Sequence, residues 1–201
     1  MRIALTGGIA CGKSLLSKFL NELGVETLDA DDVVHTLLPD PEERRRIAAE
    51  VFSDPEKRRA LEAKIHPIVK ERIDEWIEGP GVRSQGSGVR SQGSGVRGQE
   101  SGVRVAIIPL LFEAHWEKNF DIICCVASSR ETQIERMIAT RGMSRAEAEA
   151  RLAAQLPVEE KARRSHYVIR NDGTAEELKA QAAAFLKFVT QKQMQPKLPN
   201  D

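Results

Sequence analysis

The chain has 201 residues, of which 41% are hydrophobic, and its 30 lysines and arginines balance its 30 aspartates and glutamates. This length predicts a single domain around one hydrophobic core, and a net charge of zero disfavours a dedicated nucleic-acid-binding protein. No apolar run approaches the ~20 residues of a membrane span, and no signal-peptide pattern opens the chain. The three cysteines are too few and odd in number for a disulfide framework. We therefore expect a cytoplasmic protein without a membrane partner.

Short apolar runs alternate with helical periodicities, which is typical of a parallel β-sheet covered by helices. The predicted strands are Ile3 to Leu5, Val25 to Leu28, Val103 to Ile108, Ile122 to Val126 and Tyr167 to Ile169. The predicted helices carry apolar stripes at Leu15, Leu16, Phe19, Leu20 and Leu23, at 61–77 and at 178–189. Pro67 predicts a kink or a new helix start in the second of them. The predicted fold class is therefore α/β, with a parallel five-stranded sheet flanked by helices.

A seven-residue repeat interrupts this pattern. Gly-Val-Arg-Ser-Gln-Gly-Ser occupies 81–87 and recurs at 88–94. Each unit has too few apolar residues for a coiled coil, whereas Gly, Ser and Gln suit a flexible linker. We expect residues 79–104 to be a flexible insertion, with a basic arm as the alternative because each unit carries an arginine. We also expect a disordered tail at 194–201.

The segment after the first strand, Gly7 to Ser14, matches the phosphate-loop pattern G-x-x-x-x-G-K-[ST]. It lies between a predicted strand and a predicted helix, as that pattern requires. Backbone N–H groups and the helix N-terminus favour an anion there, and Lys13 supplies a charge for the β- and γ-phosphates of ATP. Ser14 is the expected ligand of the Mg²⁺ that bridges these phosphates. The predicted nucleotide-binding residues are Gly8, Ile9, Ala10, Cys11, Gly12, Lys13, Ser14 and Leu15.

Carboxylates follow the second predicted strand, in Asp29-Ala30-Asp31-Asp32. Because the carboxyl ends of parallel strands share one crevice, we expect these acids beside the phosphate loop. A kinase needs a carboxylate there to accept the proton of the attacking hydroxyl or to steady the metal. An acidic cap on the helix at Val33 is the alternative. The sequence lacks the Asn-Lys-x-Asp segment with which GTPases recognise guanine, which favours a kinase.

Further short motifs accompany these two. The set comprises Leu5-Thr6-Gly7-Gly8-Ile9, Gly12-Lys13-Ser14, Asp29-Ala30-Asp31, His66-Pro67-Ile68, Pro109-Leu110-Leu111-Phe112-Glu113, Phe120-Asp121 and Val168-Ile169-Arg170-Asn171. Together they resemble the dephospho-CoA kinases, P-loop kinases related to the nucleoside monophosphate kinases. The resemblance implies phosphorylation of the 3′-hydroxyl of dephospho-CoA by ATP, the last step of coenzyme A biosynthesis. It also implies one kinase domain at 1–193, with a helical acceptor-binding lobe at about 32–78 and a lid at about 128–155.

Roles for individual residues follow from the resemblance. Asp31 is the expected general base, and Lys13, Arg136 and Arg141 are the expected catalytic cations. The expected substrate-binding residues are Thr6, Asp29, His66, Leu110 and Glu113. The alternatives are a helix cap for His66, simple packing for the leucines and surface ion pairs for the lid arginines. We expect a monomer, and the alternative functions are a nucleoside or nucleotide kinase and a non-catalytic nucleotide-binding module.

Overall fold

The computed structural model describes residues 1–37, 40, 42, 46–47, 55–79 and 102–194. Most of the expected insertion, at 80–101, and the tail from 195 onward lie outside the described residues, so both expectations stay predictions. The described residues divide into two compact units. Those within 1–27 and 98–201 form the core unit, and those within 28–97 form the helical unit.

Five strands and seven α-helices account for most of the described chain. In order they are β1 (Ile3–Gly7), α1 (Lys13–Glu22), β2 (Glu26–Asp29), α2 (Ala30–Leu37), α3 (Pro55–Glu78), β3 (Arg104–Ile107), a 3-10 helix (Glu117–Asn119), β4 (Ile122–Ala127), α4 (Arg130–Arg141), α5 (Arg145–Ala153), α6 (Val158–Arg163), β5 (Tyr167–Arg170) and α7 (Ala175–Met194). All five predicted strands are confirmed, with ends that differ by one or two residues.

The strands form one sheet in the order β2-β3-β1-β4-β5. The pairs β1–β3, β1–β4 and β4–β5 are parallel, and Ile3 lies between Val105 and Ile122 in the register. Every residue of β1 and β4 is buried, whereas the edge strand β5 has exposed positions. Continuous apolar runs are expected for central strands covered on both faces. The predicted parallel five-stranded α/β fold is therefore confirmed.

Helices α1 and α7 pack against each other beside the sheet. Leu16, Phe19 and Leu20 of α1 are buried, as are Leu178 and Phe185 of α7. The prediction that Leu15 belongs to the same apolar stripe is wrong, because its side chain is 38% exposed. Leu15 lies in the first turn of α1 beside Leu16, and it is the Leu16 side chain that joins the main core.

Helix α3 is continuous through Pro67 over its 24 residues. The prediction of a new helix start at Pro67 is therefore wrong, and the ring is accommodated in the helix interior despite the lost backbone donor. Val69 and Ile73 of this helix are buried, while Ile68 is 43% exposed. Helix α2 contacts α3 within the helical unit.

The three cysteines, Cys11, Cys124 and Cys125, are free and buried. Burial is the main cause that raises the pKa of Cys125 to about 12, and it also raises the pKa of Cys11. These thiols therefore stay protonated at neutral pH. No helix among the described residues combines the length and the apolar character that crossing a membrane requires.

Candidate active site

The phosphate loop connects β1 to α1 through backbone conformations that favour glycine. Gly7, Ala10 and Gly12 have φ angles of 151°, 58° and 93°. A Cβ atom on Gly7 would lie 2.2 Å from the carbonyl oxygen of Val126 in β4, so no side chain fits there. Ala10 adopts a left-handed conformation that alanine disfavours, and such strain persists only where the surroundings hold it.

The N–H groups of this loop are available to an anion. Within the described chain, the backbone N–H groups of Ile9, Ala10, Gly12 and Ser14 have no protein acceptor. Gly12 caps α1 without a side-chain hydrogen bond, and a helix N-terminus carries about half a positive charge. The loop therefore combines free donors with a favourable helix dipole, which are the features of a phosphate site.

Lys13 and Ser14 follow at the start of α1. Lys13 Nζ donates to the carbonyl oxygens of Gly7 at 3.1 Å and Gly8 at 2.8 Å. The Ser14 side chain is exposed. The structure thus brings the ammonium group over the loop, where phosphate oxygens are expected.

Three side chains from outside the loop donate to consecutive loop carbonyls. Gln133 Nε2 lies 2.7 Å from the oxygen of Ile9, Arg136 Nη1 3.3 Å from that of Ala10, and Asn171 Nδ2 2.8 Å from that of Cys11. Gln133 and Asn171 are only 3% and 6% exposed. The family resemblance had included Arg136 and Asn171, but no sequence signal indicated contact with the loop backbone.

The other contacts of Arg136 also go to protein oxygens. Its guanidinium donates to Ser128 Oγ at 3.1 Å and to the carbonyl oxygen of Asn171 at 2.9 Å. Glu131, on the same helix as Arg136, pairs with Arg145, at 2.8 Å. Arg141, the last residue of α4, is exposed. The two arginines therefore differ in environment, and their catalytic roles stay predictions.

Asp29 and Asp31 lie in the helical unit, where α2 begins. The Asp29 carboxylate accepts a hydrogen bond from the backbone N–H of Asp31 at 2.9 Å, which is a helix-capping contact. Asp31 is exposed in the first turn of α2. The capping alternative is thus confirmed for Asp29 alone. The expected proximity of Asp31 to the phosphate loop stays a prediction.

Glu113, whose side chain is 25% exposed, forms an ion pair with a fully buried lysine that the sequence did not indicate. Its Oε1 lies 2.8 Å from Lys161 Nζ and accepts the N–H of Leu156 at 3.1 Å, while Lys161 is 0% exposed. Lys161 also donates to the carbonyl oxygen of Pro109 at 2.9 Å, and Thr6 Oγ1 donates to the same oxygen at 3.3 Å. Lys161 lies among charged neighbours in α6, so its sequence context resembles a solvated helix.

The remaining predicted acceptor residues have mixed environments. Leu111 and Phe112 are buried at 0% and 2% exposure, so packing accounts for them, whereas Leu110 is 41% exposed. His66 is half-buried in the interior of α3, so the helix-cap alternative for His66 is wrong. A cavity of about 540 Å³ in the helical unit is lined in part by Val33, Arg72 and Trp76.

Gly12→Ala is expected to weaken ADP binding at least about tenfold, because the loop cannot keep its shape. The new Cβ would lie 2.2 Å from Asn171 Nδ2, at a φ of 93°. Isothermal titration with ADP measures the effect. The matched control is Gly102→Ala, since Gly102 has a φ of 63° but a Cβ added there would meet no atom within 4 Å. Equal losses in both variants would contradict the steric explanation.

Comparisons with known proteins agree with this site. A family model described as dephospho-CoA kinase matches residues 1–43 and 94–177. A dephospho-CoA kinase of Synechococcus sp. is 36% identical over 203 residues, which cover 89% of this chain and 88% of that protein. One from Geobacillus kaustophilus is 32% identical over 195 residues, covering 93% of this chain and 96% of its own.

Solved structures give the same result for the fold. A crystal structure from Thermus thermophilus has a TM-score of 0.70 and 32% identity, covering 94% of this chain and 97% of its own. A shikimate kinase from Acinetobacter baumannii, 15% identical with a TM-score of 0.59, covers 96% of this chain and 95% of its own, and it shares the fold alone. Taken with the phosphate loop and the family-model match, these similarities show that the chain belongs to the dephospho-CoA kinase family.

Proposed function

We propose that this chain transfers the γ-phosphoryl group of ATP to the 3′-hydroxyl of dephospho-CoA, giving coenzyme A and ADP in the last step of coenzyme A biosynthesis. The observation that carries the proposal is the family match, which includes both the phosphate loop and Asp31. The identity of the phosphoryl acceptor, dephospho-CoA, rests on the family match alone. The donor is supported independently by the loop geometry.

The phosphate loop supplies the ATP-binding half of the reaction. N–H groups of Ala10 and Gly12 have no protein acceptor within the described chain, so they are suited to phosphate oxygens. Lys13 already bridges two loop carbonyls, and we expect its ammonium to contact the β- and γ-phosphates of bound ATP. These groups stabilise the charge that spreads over the γ-phosphoryl oxygens during transfer.

Mg²⁺ is expected to bind through the Ser14 hydroxyl. That hydroxyl has no hydrogen-bond partner within the described part of the chain and lies in the first turn of α1. The described residues contain no cluster of three His, Cys, Asp or Glu side chains suited to a metal. Magnesium in kinases commonly takes one or two protein oxygens together with phosphates and water. The residues present therefore fit a magnesium ion that binds both the protein and the nucleotide. Such an ion would neutralise part of the phosphate charge.

We assign the general base to Asp31. Its neighbour Asp29 is engaged in capping α2, whereas the Asp31 carboxylate is exposed. In this step the 3′-oxygen bonds to the γ-phosphorus, its proton passes to Asp31, and the bond to ADP breaks. Asp29 supports this reaction by fixing the first turn of α2.

The acceptor is proposed to bind in the helical unit. Its cavity offers Trp76, an aromatic surface suited to a base, and Arg72, a cation that pairs with Glu75 at 3.3 Å in this structure and would exchange that partner for phosphate. Arg141 is the arginine that we expect to reach the phosphates, since it is exposed at the end of α4. The further acceptor residues that the resemblance implies are His66 in the helical unit and Thr6, Leu110 and Glu113 in the core unit, and these roles stay predictions.

A coupled assay with purified protein, ATP, Mg²⁺ and dephospho-CoA tests the proposal. Turnover with coenzyme A as the product, detected by mass spectrometry, would support it. Turnover no higher than that of a Lys13→Ala variant would contradict it. Phosphorylation of a nucleoside or nucleotide instead would indicate a nucleotide kinase, and ATP binding without transfer would indicate a non-catalytic module.

Location and assembly belong to the same proposal. The three free cysteines are consistent with a reducing compartment such as the cytoplasm. The expected monomeric state stays a prediction.

A further inference from the structure

We propose that Gln133, Arg136 and Asn171, which we name the carbonyl clamp, fix the phosphate loop in its nucleotide-binding shape before ATP binds. In this proposal Arg136 is a positioning residue that acts through the loop. The inference rests on the phosphate-binding part of the proposed function and is independent of the acceptor.

Every carbonyl of the loop from Gly7 to Gly12 has a hydrogen-bond partner. The donors, in loop order, are Lys13 Nζ for Gly7 and Gly8, Gln133 for Ile9, Arg136 for Ala10, Asn171 for Cys11 and the N–H of Leu16 for Gly12. The three central carbonyls are therefore held by side chains that lie more than 100 residues away in sequence.

The orientation of these carbonyls determines that of the next N–H groups. In a planar trans peptide, the C=O of one residue and the N–H of the following residue point in opposite directions. Holding the Ile9 and Cys11 carbonyls against the clamp therefore directs the N–H groups of Ala10 and Gly12 away from it. These same N–H groups have no protein acceptor within the described chain. The clamp thus presents them to phosphate.

The glycines of the loop fit the clamp closely. A Cβ atom on Gly8 would lie 2.5 Å from Gln133 Nε2, and one on Gly12 would lie 2.2 Å from Asn171 Nδ2. Ala10, between them, has a left-handed φ of 58°, a conformation that persists only where neighbours enforce it. Both glycines are therefore needed for the side chains to reach the loop carbonyls.

The clamp residues are also connected to one another. Arg136 Nη2 and Ser128 Oγ both donate to the carbonyl oxygen of Asn171, at 2.9 Å and 2.7 Å. Arg136 therefore joins α4, the loop and the segment after β5. An arginine that grips ATP would have to leave these acceptors, whereas a positioning arginine keeps them.

The test is titration of ADP with Mg²⁺, without acceptor, into Gln133→Met, Arg136→Met and Asn171→Asp variants. Each change removes a donor to a loop carbonyl, so each is expected to weaken ADP binding about tenfold. Arg136→Lys is expected to restore binding only in part, because lysine lacks the planar fork. The control is Lys179→Met, which removes an exposed ion pair of 2.8 Å with Glu22 at the far end of α1.

Two further measurements distinguish a positioning role of the clamp residues from general destabilisation of the fold: the coupling between two substitutions, and the rate of backbone amide hydrogen exchange. Because the clamp residues stabilise one loop conformation, Gln133→Met combined with Asn171→Asp should lose less affinity than the product of the single losses. Hydrogen exchange at Ala10 and Gly12 in the nucleotide-free protein should become faster in these variants. Unchanged exchange together with unchanged ADP affinity would overturn the proposal even if the melting temperature fell.

A phosphate-gripping role for Arg136 makes a different prediction. Arg136→Met would then lower kcat while the ADP dissociation constant stayed the same, and this result would also overturn the proposal. If the wild-type protein binds ADP but does not phosphorylate dephospho-CoA, the proposed function is contradicted. The role of the carbonyl clamp can still be tested in that case, through the ADP affinities of the variants. Absence of ADP binding in the wild type would contradict both.

Discussion

Asp31→Asn is expected to lower kcat by ~10² to 10⁴, with the KM for ATP changed less than about twofold. Asparagine has the same size as aspartate but cannot accept the proton of the 3′-hydroxyl. The side chain is exposed in the first turn of α2, so the change should leave the fold intact. Steady-state kinetics with dephospho-CoA and ATP, beside a thermal denaturation curve, measures both effects.

Two further substitutions separate proton transfer from capping and from general charge. Asn is as good a helix cap as Asp, so Asp29→Asn should keep the capping contact with the Asp31 N–H and cost much less activity. Asp74→Asn removes a carboxylate that pairs with Lys70 on α3 at 2.6 Å, and it should change kcat by less than about twofold. A merely tenfold loss in Asp31→Asn, equal to that of Asp29→Asn, would indicate that Asp31 only shapes α2.

The sheet and the phosphate loop could be predicted because their signals are local. Runs of buried apolar residues such as Ile122 to Val126 predict a strand wherever it lies in the fold. The loop is recognisable because its Gly, Lys and Ser occupy fixed positions within eight residues. The predicted sheet is confirmed, and the loop lies between β1 and α1 as its pattern predicts.

The partners of the loop could not be predicted, since they depend on contacts between distant parts of the chain. Gln133 lies 124 positions from Ile9, and Asn171 lies 160 positions from Cys11. The periodicity of the sequence does not indicate which buried side-chain amide contacts which backbone carbonyl. The family resemblance included Asn171 in one of its motifs but gave no indication of this contact.

Local residue preferences gave the wrong expectation where contacts with distant parts of the chain determine a residue's environment. Proline usually interrupts a helix, yet α3 continues through Pro67, because packing of one face of a long helix outweighs a single lost hydrogen bond. Lysine usually lies at the surface, yet Lys161 is fully buried. Its burial depends on Glu113 and Pro109, which are about 50 residues away in sequence, so α6 alone gives no indication of it.

Lys161→Met is expected to lower the free energy of unfolding by ~2–3 kcal/mol, less than the ~3–5 kcal/mol of a fully buried ion pair, because the Glu113 side chain is 25% exposed. Lys161 Nζ makes bonds of 2.8 Å to Glu113 and 2.9 Å to the Pro109 carbonyl. Without it, the Glu113 carboxylate would stay largely buried with only the Leu156 N–H described as a donor to it. Urea denaturation followed by circular dichroism measures the change.

The companion variants identify the cause of that loss. Arg163→Met, on the same helix, alters a side chain that is 73% exposed and pairs with Glu160, so it should cost less than about 1 kcal/mol. Adding Glu113→Gln to Lys161→Met should recover part of the stability, because a neutral amide is cheaper to bury than an unpaired carboxylate. If the double variant loses the full sum of the single losses, the two side chains are not coupled. A loss below about 1 kcal/mol for Lys161→Met would mean that the buried pair does not stabilise the end of β3.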